Sequence, residues 1–364
     1  MTIKGESPVD GEGIDIRAEI RDAPTYAIAE RRGTILLDAN ELRVPIPAAI
    51  KAKISEAWSQ LDLSRYPDPG EPDALRTAIA AHLRVDTDMV ALGVGTSGLL
   101  DTLCDAVGRP GAAILYLEPG FSMYPRYAAR HSKRPVPVPL DSDYEVDLTA
   151  LVEALNVHKP GLIILPYPNN PTGGLPSRSV VEYLLDHYHG VLCIDEAYAD
   201  YAGSSLVDET RRHSNLVVLR SFSKIGLAAC RIGYWVASPD IARDLARAVL
   251  PYNMNALSAC AARVLIEQYA TLRGALEIVM AERERLTSDL TRLGLRVYPS
   301  CANFVLCELP AEPSEFSRFL LDAHGIEIRT FPNDRRLGKS LRVTVGAPHE
   351  NRKFVAAAAE WFAR

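Results

Sequence analysis

Ser221-Phe222-Ser223-Lys224 places an amine beside two hydroxyls, directly after the apolar run Leu216–Arg220. A lysine at the mouth of a buried strand can be desolvated and surrounded by phosphate-binding groups, the setting in which an amine forms an imine. Arg231, seven residues on, adds a guanidinium suited to forking onto a phosphate. Taken alone, the segment reads equally well as an ordinary Ser-Lys pair at a helix start. In Cys193-Ile194-Asp195-Glu196-Ala197-Tyr198 an apolar run ends in a carboxylate. At a strand end a carboxylate can keep a pyridine nitrogen protonated and turn the ring into an electron sink. Tyr198 then reaches the ring's phenolic oxygen if a turn follows the strand. The plainer alternative is that Asp195 caps the next helix.

Two loops complete the set. Pro168-Asn169-Asn170-Pro171-Thr172-Gly173-Gly174 follows the run Gly161–Leu165, and an Asn held in so stiff a loop can donate its amide to a cofactor oxygen at little entropic cost. Gly93-Val94-Gly95-Thr96-Ser97-Gly98 leads into a helix, and backbone amides at a helix start attract phosphate. Its spacing does not match a dinucleotide fingerprint.

All four segments sit at the ends of predicted strands, so the fold must bring those ends together. Short apolar runs at Ala112–Leu117, Gly161–Leu165, Val191–Asp195, Leu216–Arg220 and Gly233–Val236 read as strands buried on both faces. Helical patterns at Leu99–Val107, Arg178–Tyr188 and Asp240–Val249 alternate with them, which predicts βα units around a mainly parallel sheet. From about Asn255 a long amphipathic helix pattern runs through Ala256–Gln268 to Leu293. Strand, helix, strand and helix follow at Ala302–Cys307, Ser314–Ala323, Ser340–Val345 and Asn351–Phe362. This predicts a smaller α+β domain with a boundary near Pro251.

The 364 residues, 48% hydrophobic and 24% charged, have the balance of a globular protein with a sizeable core. A net charge of −6 without a basic cluster argues against nucleic acid. No segment approaches the roughly 20 apolar residues of a membrane span, and the polar amino terminus lacks a secretory core. A cytoplasmic protein is expected. The six cysteines lie without Cys-x-x-Cys spacing among apolar neighbours and read as buried thiols, and the eight histidines offer no metal-ligand spacing, so no metal is expected.

Together, in this order, the four segments resemble those of the fold-type I, class I and II aminotransferases, and the resemblance spans essentially the whole chain. It implies an α/β fold with a large domain (36–250) built on a mainly parallel seven-stranded sheet. It further implies a small C-terminal domain (251–364) and an N-terminal arm (1–35) packing with that small domain. The implied cofactor is pyridoxal 5'-phosphate (PLP), held as a Schiff base on Lys224. Asp195 would pair with the pyridinium, Tyr198 and Asn170 would bond the phenolic oxygen, and Phe121 would stack on the ring where many relatives carry Tyr. Gly95, Thr96, Ser97, Ser221, Ser223 and Arg231 would hold the phosphate.

Further segments are similar to the histidinol-phosphate aminotransferases: Leu37-Asp38-Ala39-Asn40-Glu41, Arg65-Tyr66-Pro67-Asp68-Pro69 and Leu341-Arg342-Val343-Thr344-Val345-Gly346. That likeness implies a homodimer with shared active sites, in which Tyr66 reaches the neighbouring subunit's cofactor phosphate. Arg342 would grip the carboxylate of glutamate and of 2-oxoglutarate. Arg329 and Tyr26 would help hold a substrate phosphate, with Asn40 also at the substrate site. The chain departs from the family at Leu42-Arg43-Val44-Pro45, where Asn-Pro-Tyr-Gly is usual, and its spacing from Lys224 to Arg231 is one residue shorter than the commonest. The open alternatives are a paralogue acting on an aromatic, ornithine-like or arginine-like amine, and a decarboxylase or cyclase of the same fold. A regulatory protein that keeps the fold for ligand sensing is a more remote reading.

Overall fold

The computed structural model describes residues 17–21, 32–310 and 312–364. Its strands are β1 (Ile35–Leu37), β2 (Val90–Gly93), β3 (Ala113–Glu118), β4 (Arg134–Pro139), β5 (Leu162–Pro166) and β6 (Val191–Asp195). They continue with β7 (Leu216–Ser221), β8 (Gly233–Ala237), β9 (Arg296–Val297), β10 (Phe304–Glu308), β11 (Ile326–Thr330) and β12 (Ser340–Thr344). Seven of them form one sheet in the order β2-β8-β7-β6-β5-β3-β4. The run from β7 to β4 is parallel, and β8 lies antiparallel between β7 and β2. The carboxyl ends of β2, β3, β5, β6 and β7 therefore share one edge, where an open α/β sheet takes its ligand.

Nearly every residue of β5, β6, β7 and β8 is buried. Alternate side chains feed two cores: Ile164, Cys193, Leu219 and Trp235 pack under the helices Gly95–Ala106 and Tyr124–Arg130, while Leu165, Ile194, Val218 and Val236 join the larger cluster on the opposite face. Burial on both faces explains the unbroken apolar runs that mark these strands in the sequence.

Five strands escape sequence reading, among them β1 and β9, which are three and two residues long. β2 is a four-residue run, and β11 carries charges at Glu327 and Arg329. β4 reads Arg-Pro-Val-Pro-Val-Pro, a composition that demotes a central strand, and the structure places it at the sheet edge. The amides of Arg134 and Leu140 donate to Ala112 and Glu118 along β3, so the alternate positions taken by Pro135, Pro137 and Pro139 face outward.

The second sheet, β1-β11-β12-β10-β9, has its own core of Leu37, Phe316, Leu320, Val343 and Phe354. β1 belongs to it, pairing parallel with β11, so an expected boundary at residue 36 falls inside that strand. The described parts of the amino-terminal arm go two ways. Residues 32–34 meet Gly325 and Glu327, whereas Arg17 donates to the Arg130 carbonyl and the Ser132 hydroxyl on the other sheet's flank. The continuous helix expected through Leu293 is two helices, Ala256–Glu267 and Tyr269–Arg292. The backbone leaves the helical region at Gln268 (φ −102°, ψ 18°), whose side-chain oxygen accepts from the Lys53 ammonium at 2.9 Å.

Candidate active site

The glycine turn after β2 begins the helix Gly95–Ala106 with no side-chain cap, so the amides of Thr96 and Ser97 lack partners inside the helix and suit an anion. Gly95 takes φ +67°, and a Cβ on it would lie 3.1 Å from an Arg231 guanidinium nitrogen. Gly93, Gly233 and Ser221 stand in register across β2, β8 and β7. A Cβ at Gly233 would come within 2.8 Å of both the Gly95 carbonyl carbon and the Thr96 amide nitrogen. Glycine there lets the helix start descend onto the end of β7. Arg231, itself left-handed at φ +52°, donates to the Ser223 hydroxyl at 3.3 Å, and Ser221 Oγ accepts from the Ser223 amide at 3.1 Å. Two hydroxyls, a guanidinium and a free helix start thus converge as a cradle for a phosphate.

Lys224 Nζ lies 5.6 Å from the centre of the Tyr198 ring and donates to the Ala39 carbonyl at 3.3 Å. Asp195 is buried at the end of β6. One of its oxygens accepts from the Ala197 amide at 3.1 Å, the other from the Tyr124 hydroxyl at 2.9 Å. Burial pushes its pKa up, and the Tyr124 and Ala197 hydrogen bonds and nearby Lys224 oppose that shift. Tyr124 escapes sequence reading because a tyrosine on the inner face of a short helix looks like core. Phe121, half-buried, meets edge-on at 5.5 Å the same Tyr124 that donates to Asp195.

Asn170 Oδ1 accepts from Arg342 Nη1 at 2.6 Å, and the other terminal nitrogen of Arg342 donates to the Asp38 carbonyl. The neighbouring Asn169, which sequence reasoning passed over, braces the loop: its amide nitrogen reaches the Pro119 carbonyl at 3.0 Å and the Thr172 hydroxyl at 2.9 Å. Asn40 is buried at φ +54°, and its amide donates to the Tyr198 hydroxyl at 3.1 Å, so it braces Tyr198 instead of standing open at the mouth. Arg329 on β11 is directly opposite Arg342 on β12, which sets both side chains on one face of the smaller sheet. Tyr66 is 77% exposed and meets the also exposed Tyr252 at a tilt, with centroids 4.7 Å apart. Tyr26 lies outside the described residues.

The unusual loop after Asn40 is anchored by Arg43, which pairs with the Glu350 carboxylate, Nε to Oε2 at 3.3 Å. Leu42 and Ile46 stand against Gly226, whose φ is +115° and where an added Cβ would come within 2.7 Å of Ile46 Cδ1. An apolar wall therefore stands two residues beyond Lys224.

A family model for aminotransferases of class I and II matches residues 32–358. The chain belongs to the class I and II aminotransferases. Among curated relatives, the histidinol-phosphate aminotransferase of Chromobacterium violaceum is 36% identical over 95% of this chain and 98% of its own. That of Roseiflexus castenholzii is 37% identical over 90% and 91%. In structure the aminotransferase is similar to the histidinol-phosphate aminotransferase of Sinorhizobium meliloti in complex with pyridoxal-5'-phosphate, at a TM-score of 0.87 and 25% identity over 97% of this chain and 98% of that one. An L-threonine-O-3-phosphate decarboxylase of Porphyromonas gingivalis, at 23% identity and TM-score 0.76 over 91% and 100%, shares the fold. The aminotransferase uses PLP, and the donor set fits that group: an amine, a buried carboxylate, an aromatic ring and a glycine-lined anion cradle lie along one sheet edge. Among the described residues no helix is long and apolar enough to cross a membrane.

Proposed function

We propose that this aminotransferase moves the amino group of histidinol phosphate to 2-oxoglutarate, giving imidazole-acetol phosphate and glutamate in histidine biosynthesis. The observation that carries the reading is the pairing of Arg329 with Arg342 on one face, Arg342 bonded to Asn170. Two guanidiniums there suit a substrate with an anion at the end away from its amine. The full-length likeness to curated histidinol-phosphate aminotransferases supports the same donor.

In this proposal Lys224 carries PLP covalently, and Thr96, Ser97, Ser221, Ser223 and Arg231 hold its phosphate, with Gly95 allowing the approach. Asp195, braced by Tyr124, would pair with the ring nitrogen, Phe121 would cover the ring, and Tyr198 and Asn170 would hold the phenolic oxygen. The cofactor supplies an electron sink that lets a proton leave the carbon bearing the substrate's amino group. The Lys224 amine would take up and return that proton. Asn40 fixes the Tyr198 hydroxyl, and the Leu42–Ile46 wall limits the room for bulky donors and for water. Arg342 takes the carboxylate of 2-oxoglutarate and Arg329 the donor's phosphate, with Tyr26 assisting.

The site is completed by a second copy, whose Tyr66 reaches across; the exposed Tyr66–Tyr252 contact supports this, since a pair of outward aromatic rings suits a covered surface. A cytoplasmic homodimer, with a large domain ending near residue 250 and a small domain that also takes in β1, is part of the same proposal.

An amino-donor screen tests it: histidinol phosphate should be preferred over phenylalanine, tyrosine, ornithine and arginine, with strict dependence on 2-oxoglutarate. Turnover of an aromatic donor with none of histidinol phosphate would sink the substrate, and product release without any acceptor would point to a decarboxylase. Arg329→Gln is expected to raise KM for histidinol phosphate by about 10- to 100-fold, the worth of one charge-assisted hydrogen bond, with KM for 2-oxoglutarate little changed. Equal effects on both constants would remove Arg329 from phosphate recognition.

A further inference from the structure

The turn that follows Asp195 touches the lysine segment from behind at two points. Tyr201, buried at 2% exposure, donates its hydroxyl to the Lys224 carbonyl at 2.5 Å. Its neighbour Asp200 accepts from Arg220 at 3.4 Å and from the Tyr269 hydroxyl at 2.6 Å. Arg220, at the end of β7, also pairs with Glu196 at 3.0 Å, and Glu196 is held by Ser205 Oγ at 2.8 Å and the Leu206 amide at 2.6 Å. Residues 220 and 224 are therefore each fastened to one short turn, with Ser221-Phe222-Ser223 spanning the gap. The turn is fixed in its own right: Arg283 donates to the carbonyls of Tyr201 at 3.3 Å and Ala302 at 3.0 Å.

From this geometry we infer that Tyr201 is a positioning residue for the reaction, clamping the main chain of Lys224 so that its amine keeps its aim as it leaves and rejoins the cofactor. A lysine side chain has four rotatable bonds, and its reach is only as well defined as the Cα from which it starts. The hydrogen bond to the Lys224 carbonyl fixes that origin, and the Arg220–Asp200 pair fixes the other end of the segment that also presents Ser221 and Ser223. Tyr198, on the same turn, meets Lys224 from the front, its ring 5.6 Å from Nζ. One turn thus sets both the backbone and the working end of a single residue. Burial, with the Asp200 carboxylate nearby, pushes the Tyr201 hydroxyl pKa well up and keeps it a neutral donor.

The inference rests on Lys224 being the cofactor lysine, and the test separates the two. Tyr201→Phe removes one oxygen from a packed site, and cofactor-free and PLP-loaded full-length protein are compared with the parent. The variant is expected to form the absorbance of lysine-linked PLP about three- to tenfold more slowly, the value of one neutral hydrogen bond. The pH at which that band changes should move, and kcat should fall by a similar factor with KM for 2-oxoglutarate unchanged. A band that forms at the parental rate with its parental pH midpoint overturns the inference, even where the thermal midpoint of the cofactor-free protein has dropped. Lys224→Ala, run alongside, addresses the underlying assignment. Loss of the band there with an unaffected Tyr201→Phe defeats only the Tyr201 proposal, whereas a band surviving in Lys224→Ala defeats both.

Discussion

Lys224→Ala is expected to lose the absorbance of lysine-linked PLP and to lower transamination by more than about 10⁴-fold, because under the proposed reading one change removes both the covalent anchor and the proton carrier. Cofactor retention should survive in part, since the phosphate cradle at Gly95–Ser97, Ser221, Ser223 and Arg231 is built on other residues. Absorbance spectroscopy with single-turnover kinetics reads the two losses separately. A variant that kept both the band and parental turnover would end the assignment of Lys224.

Asp195→Asn should separate catalysis from stability. With PLP bound, loss of the charge facing the ring nitrogen is expected to lower kcat by about 10²- to 10³-fold, as removal of a preorganised electrostatic partner does elsewhere. The cofactor-free variant should behave in the opposite sense. Burial raises the Asp195 pKa, so the folded protein disfavours its charged form. Below the ordinary carboxylate range Asp195 is protonated folded and unfolded alike, and parent and variant should melt together. As pH rises through the raised value, the parent loses stability that asparagine does not lose, so the variant should melt higher near neutrality. Thermal melts of both cofactor-free proteins from about pH 4 to about pH 8 check the sign. A constant difference across that range would mean that Asp195 titrates normally in the fold.

The residues legible in the sequence are those whose signal is local. Asp195 and Lys224 each interrupt or follow an apolar run, and a charge at the end of a buried strand stands out against its neighbours. The parallel sheet was legible for the same reason, since strands buried on both faces are apolar throughout. Tyr124, Tyr201 and Asn40 carry no such mark, because their partners lie 71, 23 and 158 positions away and each side chain alone passes for core or turn. The break at Gln268 likewise carries no local mark, since no proline or glycine stands there. Where a contact is made by topology and not by neighbours, spacing along the chain has nothing to report.

The prolines of β4 have a consequence beyond that strand. With Pro135, Pro137 and Pro139 at the outward positions, this rim of the large sheet offers carbonyls but no amide hydrogens to an approaching strand. Strand addition needs both, so the sheet ends here by chemistry as well as by length. Partly folded chains that have already assembled this edge are spared edge-to-edge aggregation at it, because a strand arriving there finds no donors to complete a ladder.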